Sequence, residues 1–220
     1  MGHAEPPTLR TPLMLLAAVN LAILGMRLWP WQDVPNLPGN GTTGFDPAIS
    51  LLAYIGLIPW MAGNPKASKR KALSIGTMIG LVAGVLLVVE VVIATRSEGQ
   101  GAVLKTGLLA AAGLLWGIAG LRGAKAAGGS AAIGSVAGAW SAMVSCLMAC
   151  TAVLLEINPL SPLPQTLDPW KQYEALAIGN QATQQLVHSL IVATGFLLIG
   201  PLVGAAAGPI FVFFAKTHKS

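Results

Sequence analysis

The sequence predicts an all-α polytopic transmembrane bundle of about six spans, with both termini in the cytoplasm. Of the 220 residues, 54% are hydrophobic and only 10% are charged, whereas soluble domains carry about 25% charged residues. The apolar residues also gather in runs that approach the roughly 20 residues a helix needs to cross a bilayer. Composition and run length together exclude an ordinary soluble fold.

Six apolar runs are predicted to cross the membrane as one integral membrane domain covering residues 1–220. They lie near residues 13–28, 48–63, 72–95, 103–121, 130–155 and 185–215. The first run is followed by Trp29 and Trp31, which are typical of a membrane–water interface, and by no cleavage site of small residues. We therefore interpret it as an uncleaved span rather than a signal peptide.

Prolines and polar residues set the remaining boundaries. Pro59 is expected to kink or end the second helix. Residues 156–184 are predicted to form the longest loop, on the outer side, and residues 168–178 within it are a candidate for a short helix on the membrane surface. Pro201 and Pro209 interrupt the sixth run. This leaves open whether that run is one tilted, kinked helix or a helix plus a re-entrant or interfacial piece.

The basic loop at residues 66–71 predicts the orientation, because Lys and Arg concentrate on the cytoplasmic side of membrane proteins. With this loop inside, nine of the thirteen Lys and Arg residues fall on the cytoplasmic side and four on the outer side. The net charge of +5 therefore indicates membrane topology and not nucleic acid binding. We expect a multi-pass protein of the cell membrane with its basic loops in the cytoplasm.

Glycines recur at four-residue spacing in the last four predicted spans. Residues four apart share one face of a helix, and small residues allow two helices to approach closely in lipid. We predict that these glycines pack the helices of the bundle together; the alternative is a face for a second copy or a membrane partner subunit. They are Gly76, Gly80, Gly84, Gly113, Gly117, Gly134, Gly138, Gly200, Gly204 and Gly208.

No motif for catalysis, for a cofactor or for a metal ion is present. The sequence contains no nucleophile elbow, HExxH, phosphate loop or dinucleotide fingerprint. Cys146 and Cys150 lie four apart in one apolar run and are interpreted as small packing residues. We therefore predict that the protein is not an enzyme and has no cofactor.

Ionisable residues inside a span are costly and are therefore candidates for function. Glu90 lies six residues before Arg96, which places it about 9 Å from the predicted outer end of its helix. Lys105, Glu156 and His188 are also expected near the outer side. If the third to sixth spans pack together, Glu90 and these three residues form a candidate ion or proton site. The alternative is that Glu90 is an interfacial carboxylate satisfied by Lys105, Arg96 or water.

These observations favour a structural, accessory or assembly subunit of a membrane complex. The lipid bilayer is its expected partner, together with a second copy or a membrane subunit. The alternative is a small-solute or ion transporter or channel that uses Glu90 with the outer Glu156 and His188. Helix breaks at prolines are common near the substrate sites of transporters, and the prolines in the second and sixth runs leave that alternative open.

Overall fold

The computed structural model describes residues 10–28, 45–62, 66–96, 102–156 and 169–217. Within these ranges every residue is α-helical except residue 66 and residues 127–130. The predicted all-α fold is confirmed for this part of the chain. The helices are α1 (Arg10–Leu28), α2 (Phe45–Ala62), α3 (Ala67–Arg96), α4 (Ala102–Ala126), α5 (Ala131–Glu156) and α6 (Pro169–Thr217).

Five helices are long and apolar enough to cross a membrane, namely α1, α3, α4, α5 and α6. The apolar part of α2 is shorter and runs over Asp46–Ala62. At 1.5 Å per residue it is about 26 Å long, close to the roughly 30 Å of a hydrocarbon core. It continues through Pro59 and ends three residues later. The helices are thus compatible with an integral membrane protein.

The sixth helix begins much earlier than the sequence predicted. It starts at Pro169 and runs unbroken for 49 residues to Thr217, about 74 Å at 1.5 Å per residue. Residues 169–184 are therefore the first turns of α6 and not part of a loop or a separate surface helix. Proline suits a first helical turn because its missing N–H has no partner there. The helix also continues through Pro201 and Pro209, so the sixth run is one helix and not two pieces.

The fifth helix lies at the centre of the bundle. Of its apolar span 78% is buried, against 22–33% for the other four candidate spans. It contacts α1, α3, α4 and α6, while α2 packs on α1 and α6. Its residues are mostly small, and Trp140 is its largest fully buried side chain. Small residues on several faces let neighbouring helices approach α5 from different sides.

Polar side chains form hydrogen bonds between neighbouring helices. The Asn20 amide nitrogen of α1 donates to the carbonyl oxygen of Leu147 at 3.1 Å, and the Tyr54 hydroxyl of α2 donates to that of Leu197 at 2.8 Å. The indole nitrogen of Trp140 donates to the Thr77 hydroxyl at 2.9 Å. In a membrane, where water is scarce, such groups need partners on neighbouring helices.

The odd-numbered helices run in the same direction. Along α1, Asn20 and then Arg27 donate hydrogen bonds to the carbonyl oxygens of Leu147 and then Leu155 of α5. The glycines of α3 likewise meet residues of α5 in order of increasing number. Both pairs of helices are therefore parallel.

Helices α4 and α6 run opposite to α5. On α6, Gly208 faces Gly134 and Gly200 faces Cys146, so the order of residues is reversed. On α4 the order is reversed in the same way, since Gly120 faces Gly134 and Trp116 is hydrogen-bonded to Ser145. Residues 66–71 and the C-terminal ends of α4 and α6 consequently lie together, at what we call the basic end. The opposite end, here the distal end, contains the C-terminal ends of α1, α3 and α5 and the start of α4. The prediction that residues 66–71 and the chain before the sixth span lie at opposite ends agrees with this arrangement.

Candidate functional site

Glycines of α3 lie directly against the backbone of α5. A Cβ added at Gly76 would lie 2.8 Å from the carbonyl oxygen of Ala137, and one added at Gly80 would lie 2.6 Å from that of Ser141. Real Cβ atoms do not approach backbone so closely, so the two helices must separate if either residue gains a side chain. The space beside Gly84 is filled by the side chain of Met148.

A second set of glycines brings α4, α5 and α6 together. A Cβ at Gly134 would lie 2.9 Å from the Gly120 carbonyl oxygen, and one at Gly208 would lie 2.5 Å from that of Gly134. One helical turn away, Gly138 and Gly204 face each other in the same way. Gly120 was not among the glycines singled out from sequence, because it lies three residues after Gly117 and outside the four-residue spacing.

Gly113 differs from the other predicted packing glycines. A Cβ added there would find no atom within 4 Å, because Gly113 lies on the wall of a groove between α3, α4 and α6. Gly195 of α6 also lines this groove, and a Cβ added there would likewise find no atom within 4 Å. We call the groove the distal groove.

The distal groove has a volume of about 720 Å³. Its floor contains the buried side chains of Val91, Trp116 and Val153. Ile199, which is 61% exposed, and Val203 lie on its rim, so the groove opens to the surroundings of the bundle. The remaining wall residues are Glu90, Ala94, Leu109, Gly113, His188, Ser189, Val192, Gly195, Phe196 and Gly200.

The structure places two of the four predicted site residues on this groove. Glu90 is buried, with 9% of its surface exposed, and His188 is exposed at the distal mouth. Lys105 is half-buried at the start of α4 and interacts electrostatically with Glu90. Glu156 ends α5 at the same end of the bundle, but its side chain lies outside the described part of the chain. The role of these residues as an ion or proton site stays a prediction.

Trp116 is the wall residue that sequence reasoning missed. Its indole nitrogen donates a hydrogen bond of 2.9 Å to the Ser145 hydroxyl of α5, which fixes the ring in the groove floor. A tryptophan in the middle of an apolar run, away from the interface where tryptophans usually lie, was the available signal.

The distal groove therefore combines an apolar floor with Glu90 and His188 on its lining, and Lys105 lies outside the lining at the same end of the bundle. Among the described residues, no three His, Cys, Asp or Glu side chains are grouped to hold a metal ion. Comparison of the chain with known protein families, with curated proteins and with solved structures finds no match. The site must be interpreted from its own chemistry.

Proposed function

We propose that this chain is a non-catalytic integral membrane protein that serves as an accessory or assembly subunit of a membrane complex. The long apolar helices support the membrane location. The Asn20 amide nitrogen, the Tyr54 hydroxyl and the indole nitrogens of Trp116 and Trp140 each donate a hydrogen bond to a neighbouring helix. Hydrogen bonds of this kind stabilise the helical bundle, and the groups that form them are not available for catalysis.

The observation that carries this proposal is that the distal groove is closed at one end. Its lining reaches Trp116 and Val203. Beyond them, towards the basic end, the backbones of α5 and α6 meet at Gly138 and Gly204 and then at Gly134 and Gly208. A groove that is open at one end and closed by backbone contact at the other is suited to holding a partner molecule rather than to conducting one.

Purification from the native membrane in a mild detergent tests the subunit proposal. We expect native mass spectrometry to find a second polypeptide bound in a fixed ratio to the 22.5 kDa chain, and to find it again in a second detergent. A particle that contains copies of this chain alone in both detergents would contradict the proposal.

The orientation that we propose places the basic end and both termini in the cytoplasm of a cell. The concentration of Lys and Arg at that end supports it. Arg70 lies at the basic end and Thr106 at the distal end, and both side chains are exposed. With an impermeant maleimide on intact cells, Thr106→Cys should react at once and Arg70→Cys only after permeabilisation. The reverse pattern would overturn the orientation.

Transport of a small solute or an ion is the second candidate function. The observation that favours it is that Glu90 of α3 and His188 of α6 both line the distal groove. In this case α5 and α6 would have to separate at their glycine contacts in each cycle. Solute or proton flux into vesicles that contain the wild-type protein, abolished by Glu90→Gln in a folded variant, would favour transport over the subunit role.

A further inference from the structure

Two glycines keep the distal groove open from opposite sides. Gly113 of α4 and Gly195 of α6 both line it, and neither has an atom within 4 Å of the position that a Cβ would occupy. At most of the other described glycines of α4 and α6, the backbone or a side chain of a neighbouring helix occupies the space that a Cβ would need. Glycine is a poorer helix former than alanine, and at these two positions no contact with a neighbouring helix requires it. The space that the missing side chains leave is the space of the groove.

The groove is long and narrow. Its lining on α6 extends from His188 to Val203, which is about 22 Å at 1.5 Å per residue. A single leaflet accounts for about half of the roughly 30 Å hydrocarbon core, so the groove is longer than one leaflet is thick. An extended apolar chain can follow a groove of this length and of about 720 Å³.

Charge is confined to the distal mouth of the groove. The carboxylate of Glu90 lines the wall on α3, and His188 and Ser189 line it on α6. Lys105 lies outside the lining near the start of α4, where its positive charge acts on Glu90. The wall from Val192 to Val203 is apolar or glycine. An occupant that matches this pattern has an apolar tail and a head that carries both a positive and a negative charge.

We propose that the distal groove binds an aminophospholipid, with one acyl chain along the groove and the headgroup at the mouth. The Glu90 carboxylate accepts hydrogen bonds from the primary ammonium group, and Lys105 neutralises the phosphate. The acyl chain lies on Trp116 and passes between Gly113 and Gly195. This inference rests on the membrane location proposed above but not on the subunit role.

Lipids of different headgroup test the proposal on the wild-type protein. The purified protein in detergent is titrated with dioleoyl phosphatidylethanolamine, phosphatidylcholine or phosphatidylglycerol, and bound lipid is counted by native mass spectrometry. Choline has no N–H to donate and glycerol has no cation. We therefore expect phosphatidylethanolamine to bind about tenfold more tightly than either, the effect of one charge-assisted hydrogen bond. Equal binding of the three lipids would overturn the proposal.

Filling the groove provides the second test. Gly113→Leu and Gly195→Leu should each reduce bound phosphatidylethanolamine at least tenfold, because the side chain takes the place of the acyl chain. Gly107→Leu is the matched control, since Gly107 lies on α4 with nothing within 4 Å but outside the groove lining. Wild-type binding by both filled variants, with unchanged thermal unfolding, would overturn the proposal.

Glu90→Gln separates the headgroup from the tail. This variant should bind phosphatidylethanolamine and phosphatidylcholine equally, through the acyl chain alone. A retained preference for phosphatidylethanolamine would contradict the role given to Glu90. If instead the wild-type protein were soluble without detergent, the membrane location itself would fail, which is distinguishable from a membrane protein that shows no lipid preference.

Discussion

The indole nitrogen of Trp116 donates a hydrogen bond to the hydroxyl of Ser145 at 2.9 Å. Ser145 in turn donates to the carbonyl oxygen of Ala142 at 3.0 Å. Both residues are buried. This chain of hydrogen bonds fixes α4 to the central helix at the floor of the distal groove.

Ser145→Ala should lower the stability of the folded protein by about 1–2 kcal/mol, because it leaves the buried Trp116 N–H without an acceptor. Unfolding in detergent, followed by circular dichroism, measures the change. Thr151→Ala is a suitable control on the same helix, since the Thr151 hydroxyl donates only within α5, to Leu147. Equal losses for the two variants would show that the bond between helices contributes nothing.

Gly204→Ala should destabilise the contact between α5 and α6. The added methyl would lie 2.5 Å from the Gly138 carbonyl oxygen and 2.8 Å from the Ala142 Cβ, and overpacking of this kind costs about 1–3 kcal/mol. Gly56→Ala, which meets nothing within 4 Å, should instead be neutral or stabilise α2 by up to about 1 kcal/mol. Thermal unfolding of both variants measures the difference. A Gly204→Ala variant as stable as the wild-type protein would mean that α5 and α6 pack less closely than the structure shows.

Tyr54→Phe should loosen α2. The substitution removes the hydrogen bond that the Tyr54 hydroxyl donates to the Leu197 carbonyl oxygen of α6, and hydrogen bonds between membrane helices contribute about 0.5–1.5 kcal/mol. Hydrogen exchange measured by mass spectrometry should become faster in α2 and stay unchanged in α3. Faster exchange across all helices would instead indicate a general loss of stability.

Cys146 and Cys150 should resist modification in the folded protein. Both thiols are free and buried, and Cys146 lies against Gly200. We expect no reaction with a maleimide before denaturation and two thiols modified per chain after it. An introduced Thr106→Cys, exposed on α4, should react in the folded state and serves as the positive control. Rapid labelling of the native protein would contradict the buried position of the two thiols.

The number and approximate position of the helices could be predicted from sequence, because each apolar run is about as long as a bilayer is thick. Their arrangement could not. Runs that are apolar on every side do not indicate which face meets which neighbour, so the central position of α5 became known only from the structure. The serines, glycines and cysteines of α5, such as Ser141 and Cys146, fit this central position, but they were not sufficient to predict it.

The start of α6 was missed for a related reason. The prolines between residues 159 and 169 indicate a break, but Pro169 is the first residue of the helix and not the end of the loop. The polar composition after Pro169 predicts a loop with a candidate surface helix at residues 168–178, whereas the structure has one continuous helix. A helix that extends beyond the membrane can be polar without losing its backbone hydrogen bonds.

The candidate site was predicted in part. A carboxylate in an apolar run identified Glu90, and counting residues from the helix end placed it at the depth of Lys105 and His188. The groove itself could not be predicted, since it results from side chains that are missing at Gly113 and Gly195. The sequence does not distinguish a glycine that lines a groove from a glycine that packs against a neighbouring helix.

The central position of α5 has a consequence for the order of assembly in the cell. Among the described residues of the first four helices, α1 packs with α2 and α3 packs with α4, and the two hairpins make little direct contact. Both contact α5, which the ribosome makes only after all four. During synthesis the first half of the protein should therefore exist as two independent pairs, and a nascent chain that stops before Ala131 should lack the element that joins them.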